Sequence, residues 1–474
     1  MCAYEQTAGC PTSDSGEVGS HRSQNATIAG VIEPGCFVSK GVTDLRNYSK
    51  PLFAPFYRIA FQLKQPVAGL FVCGKEGRMV VVVCKGNFGR AAPNRMIAMT
   101  TPVLVYYDTR MLGHNPHGWD PGHPAWTDAV KAMIRLQYPG SNLETYSHPE
   151  RPDRLTAIVD RLMLDPIEGV RWMLPTPATT AQLERVHDKN YVAKIESLDG
   201  DSCWLAEDTT AVSPGSVEAA RLAAGAGISA VEAISAGEAR RAFCIVRPPG
   251  HHAHSGRATG FCLYNNLAVT AAHARESLGY QRVMVWDWDM HHGNGTQEIF
   301  YSDPSVLVVD SHCAAPFYPG SGLQRETGTG VGVGSQINVP LPLGLGNAAL
   351  LKVFDELVKP AAKAFRPDIL LVSSGFDCHY LDMTCSMDET GFAILAQRMS
   401  DLADELCDGR LVVLLEGGYN AQALADSAHA VVKVLAGNRV NSCNVMPEDP
   451  GCGAVADAIQ FRKEKCLEAE GCGS

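Results

Sequence analysis

The segment "DWDMHHGNGTQ" (287–297) crowds aspartates and histidines together directly after the apolar run "RVMVW". Carboxylates and imidazoles are costly in a sheet interior unless they are paired or hold a metal. If the chain stays extended here, the two-residue period of a strand places Asp287, Asp289 and His291 on one face. Oxygen and nitrogen donors on one face at a strand end make a candidate metal site. A catalytic zinc site takes three protein ligands and leaves one position open. Asp289 and His291 supply two ligands, and Asp377, in "SSGFD" after another apolar run, is the candidate third. Alone, the segment reads equally well as a solvated turn with a capping aspartate. The polar ends of the other apolar runs favour the metal.

The first of these ends is "PPGHH" (248–252). His251 and His252 are candidates for general base and general acid around a metal-activated water. Their rings need acceptors to orient them, and Asp287 and Asn294 are the candidates. A carboxylate for one imidazole and an amide for the other would separate the two pKa values. In "LEGGYN" (415–420), paired glycines let the backbone approach closely and aim Tyr419 into the site. A phenol placed there can donate to an oxyanion as it develops.

What positions these residues is a series of Val/Ile/Leu runs: "TPVLVYY" (101–107), "AFCIV" (242–246), "RVMVW" (282–286), "VLVVD" (306–310), "DILLVSS" (368–374) and "RLVVLL" (410–415). Helical patterns alternate with them at 216–234, 265–277, 347–365 and 390–406. That alternation predicts an α/β fold, a doubly wound and mostly parallel sheet with helices on both faces. In such sheets the chemistry collects at the carboxyl ends of the strands, where the polar segments stand. Residues 1–50 read as a flexible arm, 51–100 as a small extension with a β-hairpin around "GKEG", and 101–440 as the catalytic domain. Residues 441–474 read as a C-terminal tail or helix. Within the domain, 114–147 is an insertion expected at the pocket rim, with His114, His117, Trp119, His123 and Trp126 suited to a binding surface.

The chain has 474 residues, 46% of them hydrophobic, with a net charge of −11. That is enough to build a large core, and the acidic balance argues against direct binding of nucleic acid, which needs clustered Lys and Arg. The 16 cysteines include no C-x-x-C pair, so a reduced, intracellular protein is expected rather than a disulfide framework. No apolar run reaches the length of a membrane span, and basic runs of the nuclear-import type are not visible, so the cytoplasm is favoured over the nucleus.

In order along the chain, "HPERPDRL", "RPPGHHA", "GFCLYNN", "DWDMHHGNGTQ", "FYPG", "SSGFD" and "LEGGYN" resemble the zinc-dependent histone deacetylase family, its class II-like and acetylpolyamine-amidohydrolase-like branch. The resemblance implies the arginase–deacetylase fold and hydrolysis of an acetyl amide. It implies Zn2+ held by Asp289, His291 and Asp377, and His251 and His252 as the acid/base pair oriented by Asp287 and Asn294. Tyr419 becomes the oxyanion donor. It further implies a substrate channel lined by Gly260, Phe261 and Tyr318, and a structural K+ near Asp287, Asp289, His291, Asp310 and Ser311. Thr384 would stand in the channel wall, where, with Met383, it departs from the Pro and Leu usual in the family. The implied partners are acetyl-lysine in histones or other proteins, or a small acetylated amine such as an acetylpolyamine, and hydroxamate inhibitors would bind the metal. Two further alternatives remain. An arginase-like site uses D-x-H-x-D and two metals, whereas the order here is D-x-D-x-H. A catalytically inactive acetyl-lysine-binding scaffold would keep the fold without the reaction.

Overall fold

The computed structural model describes residues 70–75, 78–83, 101–115, 148–205, 210–445 and 448–471, with only the backbone path of 70–75, 78–83 and 465–471. The expected arm (1–50) and most of the expected insertion (116–147) lie outside the described residues. The chain divides into two units, residues 1–98 and 99–474. In the first, β1 (Leu70–Lys75) and β2 (Arg78–Val83) pair antiparallel, with Lys75 opposite Arg78 across the "GKEG" segment.

The second unit is built on eight strands: β3 (Val103–Tyr106), β4 (Val170–Met173), β7 (Arg241–Cys244), β8 (Val283–Asp287), β9 (Val306–Cys313), β10 (Gln336–Leu341), β11 (Ile369–Ser374) and β12 (Leu411–Leu415). They lie in the order β10-β9-β8-β11-β12-β7-β3-β4, and every pair is parallel. A separate two-residue ribbon joins β5 (Cys203–Trp204) to β6 (Ala211–Val212). Strands β8, β9, β11 and β12 are buried along their whole length, which requires cover on both faces. One cover is the pair of helices Ser216–Ser235 and Asn266–Glu276. The other contains Asp153–Leu164, Glu389–Leu406 and Ala421–Leu435, packed on one another. This is the arginase–deacetylase α/β fold.

Local chemistry fixes where the helices begin. Asn265, Asp388 and Asn420 each accept a backbone N–H three residues on, at 2.9, 2.9 and 3.1 Å, and so cap the helices that follow them. The pattern over 347–365 is broken into Asn347–Val353, a wider turn at Phe354–Val358 and Lys359–Phe365, with Pro360 near the start of the last piece. Proline has no N–H to give the preceding turn, and widening that turn accommodates the loss. At the C-terminus, the helix Gly451–Gly471 is tied to the domain by Asp449, which accepts from the N–H of Gly346 and Ala349 (3.1 and 2.8 Å).

Two strands of the eight-stranded sheet, and both strands of the short ribbon, were not read from the sequence. "QINVPL" forms β10, tolerated with Pro340 because β10 is an edge strand, and "VRWM" forms β4 at the opposite edge. Among the described residues no helix is long and apolar enough to cross a membrane.

Candidate active site

Strand β8 ends at Asp287, and the next four residues turn rather than continuing the strand. The turn is made by the aspartates themselves. Asp287 Oδ1 accepts from the N–H of Asp289 (3.0 Å), and Asp289 Oδ1 accepts from the N–H of His291 (2.8 Å). Each carboxylate thus bonds the amide two residues on, a geometry short acidic side chains favour. This corrects the extended-strand expectation. Asp289 and His291 converge, while Asp287 points to a different partner.

His291 Nδ1 lies 3.0 Å from Asp289 Oδ1 and 3.0 Å from Asp377 Oδ2. The three side chains are buried, with donor atoms all within 4.8 Å of one another. The remaining carboxylate oxygens are fixed by amides: Gly417 N–H donates to Asp289 Oδ2 (2.8 Å) and Met290 N–H to Asp377 Oδ1 (2.9 Å). Glycine is required on both sides of this cradle. A Cβ on Gly375 would collide with the Asp289 carboxylate, and one on Gly417 with the carboxylates of Asp289 and Asp377. Burial pushes the Asp377 carboxyl up to about 6, and the Asp289 charge adds to the push. Burial alone would lower His291, but the two carboxylates raise it to about 9. Two buried carboxylates facing one imidazole nitrogen call for a cation between them, so the residues fit a divalent ion.

The histidine pair stands beside this triad on the loop after β7. Glu416, at the end of β12, accepts from the N–H of Gly250 (2.7 Å) and His251 (3.1 Å) and from the Ser373 hydroxyl (3.0 Å), anchoring the loop to the sheet. His251 Nδ1 is 3.0 Å from Asp287 Oδ2, and His252 Nδ1 is 2.8 Å from Asn294 Oδ1. The ring centroids are 4.0 Å apart. Both Nδ1 atoms face oxygen acceptors, which leaves each Nε2 for chemistry. Their charge preferences diverge. Burial disfavours the imidazolium at both, but Asp287, Asp289 and Glu416 outweigh it at His251, whose pKa is well raised. At His252 burial and the neighbouring His251 and His291 act together and push the pKa well down.

Tyr419 is half-buried, with its ring under the Arg154 guanidinium, 5.0 Å from carbon to ring centroid. Burial pushes the phenol pKa well above that of an ordinary tyrosine, against the lowering effect of Arg154 and with help from Asp377 and Asp289. The phenol is therefore a hydrogen-bond donor at any working pH. Phe261 meets Tyr419 edge-on at 6.0 Å, and Tyr318 meets His252 edge-on at 5.1 Å. Gly260, at φ +54°, lies so close to the His252 ring that a Cβ would collide with it. Phe317, not singled out from the sequence, stacks on His291 at 5.1 Å.

Thr384, in the loop after Asp377, has a buried hydroxyl without a hydrogen-bond partner. Of the residues expected around potassium, Ser311 donates to the Asp287 carbonyl (3.1 Å) and accepts from the Trp286 indole (3.1 Å). Asp310 accepts from Gly293 N–H (2.8 Å) and from His312 Nδ1 (2.6 Å). Asp310 also forms a second buried group with His292 and His312. There every ring nitrogen is already engaged: His312 reaches the Gly322 carbonyl, and His292 reaches Ser321 and Gln297. That group is a hydrogen-bonded support beneath the "HHG" turn.

The sequence also gave no warning of a buried ionic cluster next to the site. Glu150 accepts from Nε and Nη2 of Arg247 (2.9 and 2.7 Å) and from Nη1 of Arg154 (3.0 Å). His114 Nε2 is 3.2 Å from the same carboxylate, and its Nδ1 is 2.7 Å from the Ser216 hydroxyl. His114 was expected on an exposed rim surface. It is buried instead, because its ring completes the shell of Glu150.

Comparison with known proteins agrees with this geometry. The histone deacetylase domain model matches residues 148–435, more than half of the chain. The chain is 36% identical over 312 residues to a probable deacetylase of Archaeoglobus fulgidus, covering 64% of this chain and 86% of that protein. It is 37% identical over 350 residues to a histone deacetylase-like amidohydrolase of Pseudomonas aeruginosa, covering 72% of this chain and 88% of that protein. The crystal structure of the HDA15 HD domain superposes with a TM-score of 0.67 at 34% identity, over 77% of this chain and 96% of that one. A fold with its polar strand ends gathered at one edge, a matching domain model and relatives aligned over most of their length lead to one conclusion: the chain belongs to the histone deacetylase family of hydrolases.

Proposed function

We propose that this protein hydrolyses the acetyl amide of acetyl-lysine in histones or other proteins, using one zinc ion held by Asp289, His291 and Asp377. The observation that carries the reading is the buried carboxylate–imidazole triad facing two histidines of opposite charge preference. A divalent ion in that triad would supply Lewis acidity to the amide carbonyl and to water.

The chain's own residues supply the rest. His252, kept neutral by burial and by the neighbouring His251 and His291, is held through Nδ1 by Asn294 and takes the proton of the attacking water on Nε2. His251, held cationic against Asp287, stabilises the negative charge that develops and is the proton source for the leaving amine. Tyr419 donates its hydroxyl hydrogen to the carbonyl oxygen as that oxygen becomes anionic. Gly260, Phe261 and Tyr318 flank these groups, and their rings suit the aliphatic stem of a lysine. A potassium ion beside Asp287, Asp289, His291, Asp310 and Ser311 would stiffen the same turn from below.

The test is turnover of acetyl-lysine peptides and acetylspermidine measured side by side on metal-loaded enzyme. The expected result is a higher kcat/KM for the peptides. A preference for the polyamine would move the substrate to small acetylated amines, and no turnover of either, with metal bound, would leave a binding scaffold. A hydroxamate is expected to raise the unfolding temperature, because a ligand that binds only the native state stabilises it by mass action.

A further inference from the structure

The turn that carries Tyr419 contains Gly417 and Gly418, the latter at φ +110°, a conformation glycine adopts freely. Such a turn does not fix the direction of its tyrosine by itself. Its carbonyl side is held by Arg154, which donates to the backbone oxygens of Glu416 and Gly418. Its amide side is held by one residue. Asp382 Oδ2 accepts from the N–H of both Tyr419 (2.5 Å) and Asn420 (2.7 Å). The Asn420 side chain returns a bond to the Leu381 carbonyl (2.9 Å), so the two loops are stitched on both sides of the carboxylate. The other carboxylate oxygen, Asp382 Oδ1, is buried with no hydrogen-bond partner. Burying an unpaired oxygen costs stability, so this carboxylate is poorly explained as a stabilising contact alone.

We infer that Asp382 is a positioning residue for Tyr419, its carboxylate setting the direction of the phenol through the two backbone amides it accepts. The inference rests on the role proposed above for Tyr419 as oxyanion donor. One oxygen that accepts from two successive amides, opposite the two carbonyls held by Arg154, suits a clamp on a glycine turn. A tyrosine released from it still binds substrate but meets the oxyanion less often.

The experiment compares Asp382→Ala, Asp382→Asn, Tyr419→Phe and the double variant Asp382→Ala/Tyr419→Phe, reading kcat, KM, metal content and unfolding temperature. Asp382→Ala is expected to lower kcat by about 10²-fold, the scale of a misplaced catalytic group, with KM and bound metal little changed. Asp382→Asn, which keeps an acceptor oxygen for the same amides, is expected to recover much of that loss. In the double variant the clamp should no longer matter, giving a kcat within about twofold of Tyr419→Phe alone, the signature of two residues acting through one interaction. A near-normal kcat in Asp382→Ala, or losses that multiply in the double variant, overturns the inference. If Asp382→Ala does not fold, Asp382→Asn carries the test. A loss on wild-type background that disappears with Tyr419→Phe supports the clamp, and one that persists overturns it. Full activity in Tyr419→Phe itself would instead remove the proposed role of the tyrosine.

Discussion

Replacing Tyr419 by phenylalanine deletes one hydroxyl and leaves the ring under Arg154. Kcat is expected to fall by roughly 10²–10³-fold, the usual loss of one oxyanion donor, with metal content and KM unchanged. Asp289→Ala or Asp377→Ala acts differently. Each leaves the triad one ligand short, so metal analysis of the purified variants should find the ion lost, and a full complement in both would refute the ligand set. At this scale the sequence is informative because carboxylates and imidazoles at the ends of apolar runs have few other uses. Asp289, His291, Asp377, His251 and His252 could all be picked out that way, and Tyr419 from the paired glycines before it. Partners at long range could not. Arg247 and Glu150 are 97 residues apart, and Asp382 and Tyr419 are 37 apart, so no spacing announces that they meet.

Among the elements, the strand ends are where backbone and chemistry become inseparable. The amides of Gly417 and Met290 fix carboxylate oxygens of the triad, so the backbone of one loop orients the carboxylate of another. Gly417→Ala should therefore weaken metal binding by about 10–100-fold, as loss of a ligand-orienting contact does, while the circular dichroism of the protein stays native. Competition with a chelator measures this, and an unchanged affinity would mean that the cradle relaxes around the added methyl. The fully buried strands were legible as unbroken apolar runs, since both of their faces are covered. The edges were not. β4 is half-exposed and β10 contains Pro340, and an edge tolerates both because one side carries no ladder. The D-x-D-x-H turn escaped a periodicity reading for a related reason: side-chain-to-backbone bonds replace the ladder that a period would report.

For the molecule as a whole, the Glu150 cluster joins the segment before the helix Asp153–Leu164 to the ends of β3 and β7. Burial alone would raise the Glu150 pKa, but Arg247, His114 and Arg154 hold it well below the ordinary carboxylate value. A carboxylate with a depressed folded-state pKa adds stability above its unfolded pKa of ~4.3, and that stability is lost as the pH falls below it. Glu150→Gln should therefore cost about 3 kcal/mol near neutral pH, the scale of breaking a buried pair. The gap between variant and wild type should narrow in denaturant titrations below about pH 4. A gap constant from pH 7 to 3 would show that the carboxyl titrates alike in the folded and unfolded states. Replacing residues 116–147 with a short Gly/Ser linker should preserve metal content and hydrolysis of a minimal acetyl-lysine amide. The ratio of kcat/KM between long peptides and that amide should shift. An unchanged ratio would remove the segment from the rim, and loss of metal would place it in the core.

The contact between His114 and Glu150 has a topological meaning. One residue stands just before the 116–147 segment and the other just after it, and they touch across a buried carboxylate. The two ends of that segment are therefore held together by one buried contact. Whatever is strung between the two sides of a clasp can lengthen at small entropic cost, since loop closure depends only weakly on length. A change of length between these two residues is expected to leave the carboxylate–imidazole triad, the histidine pair and Tyr419 where the sheet has put them.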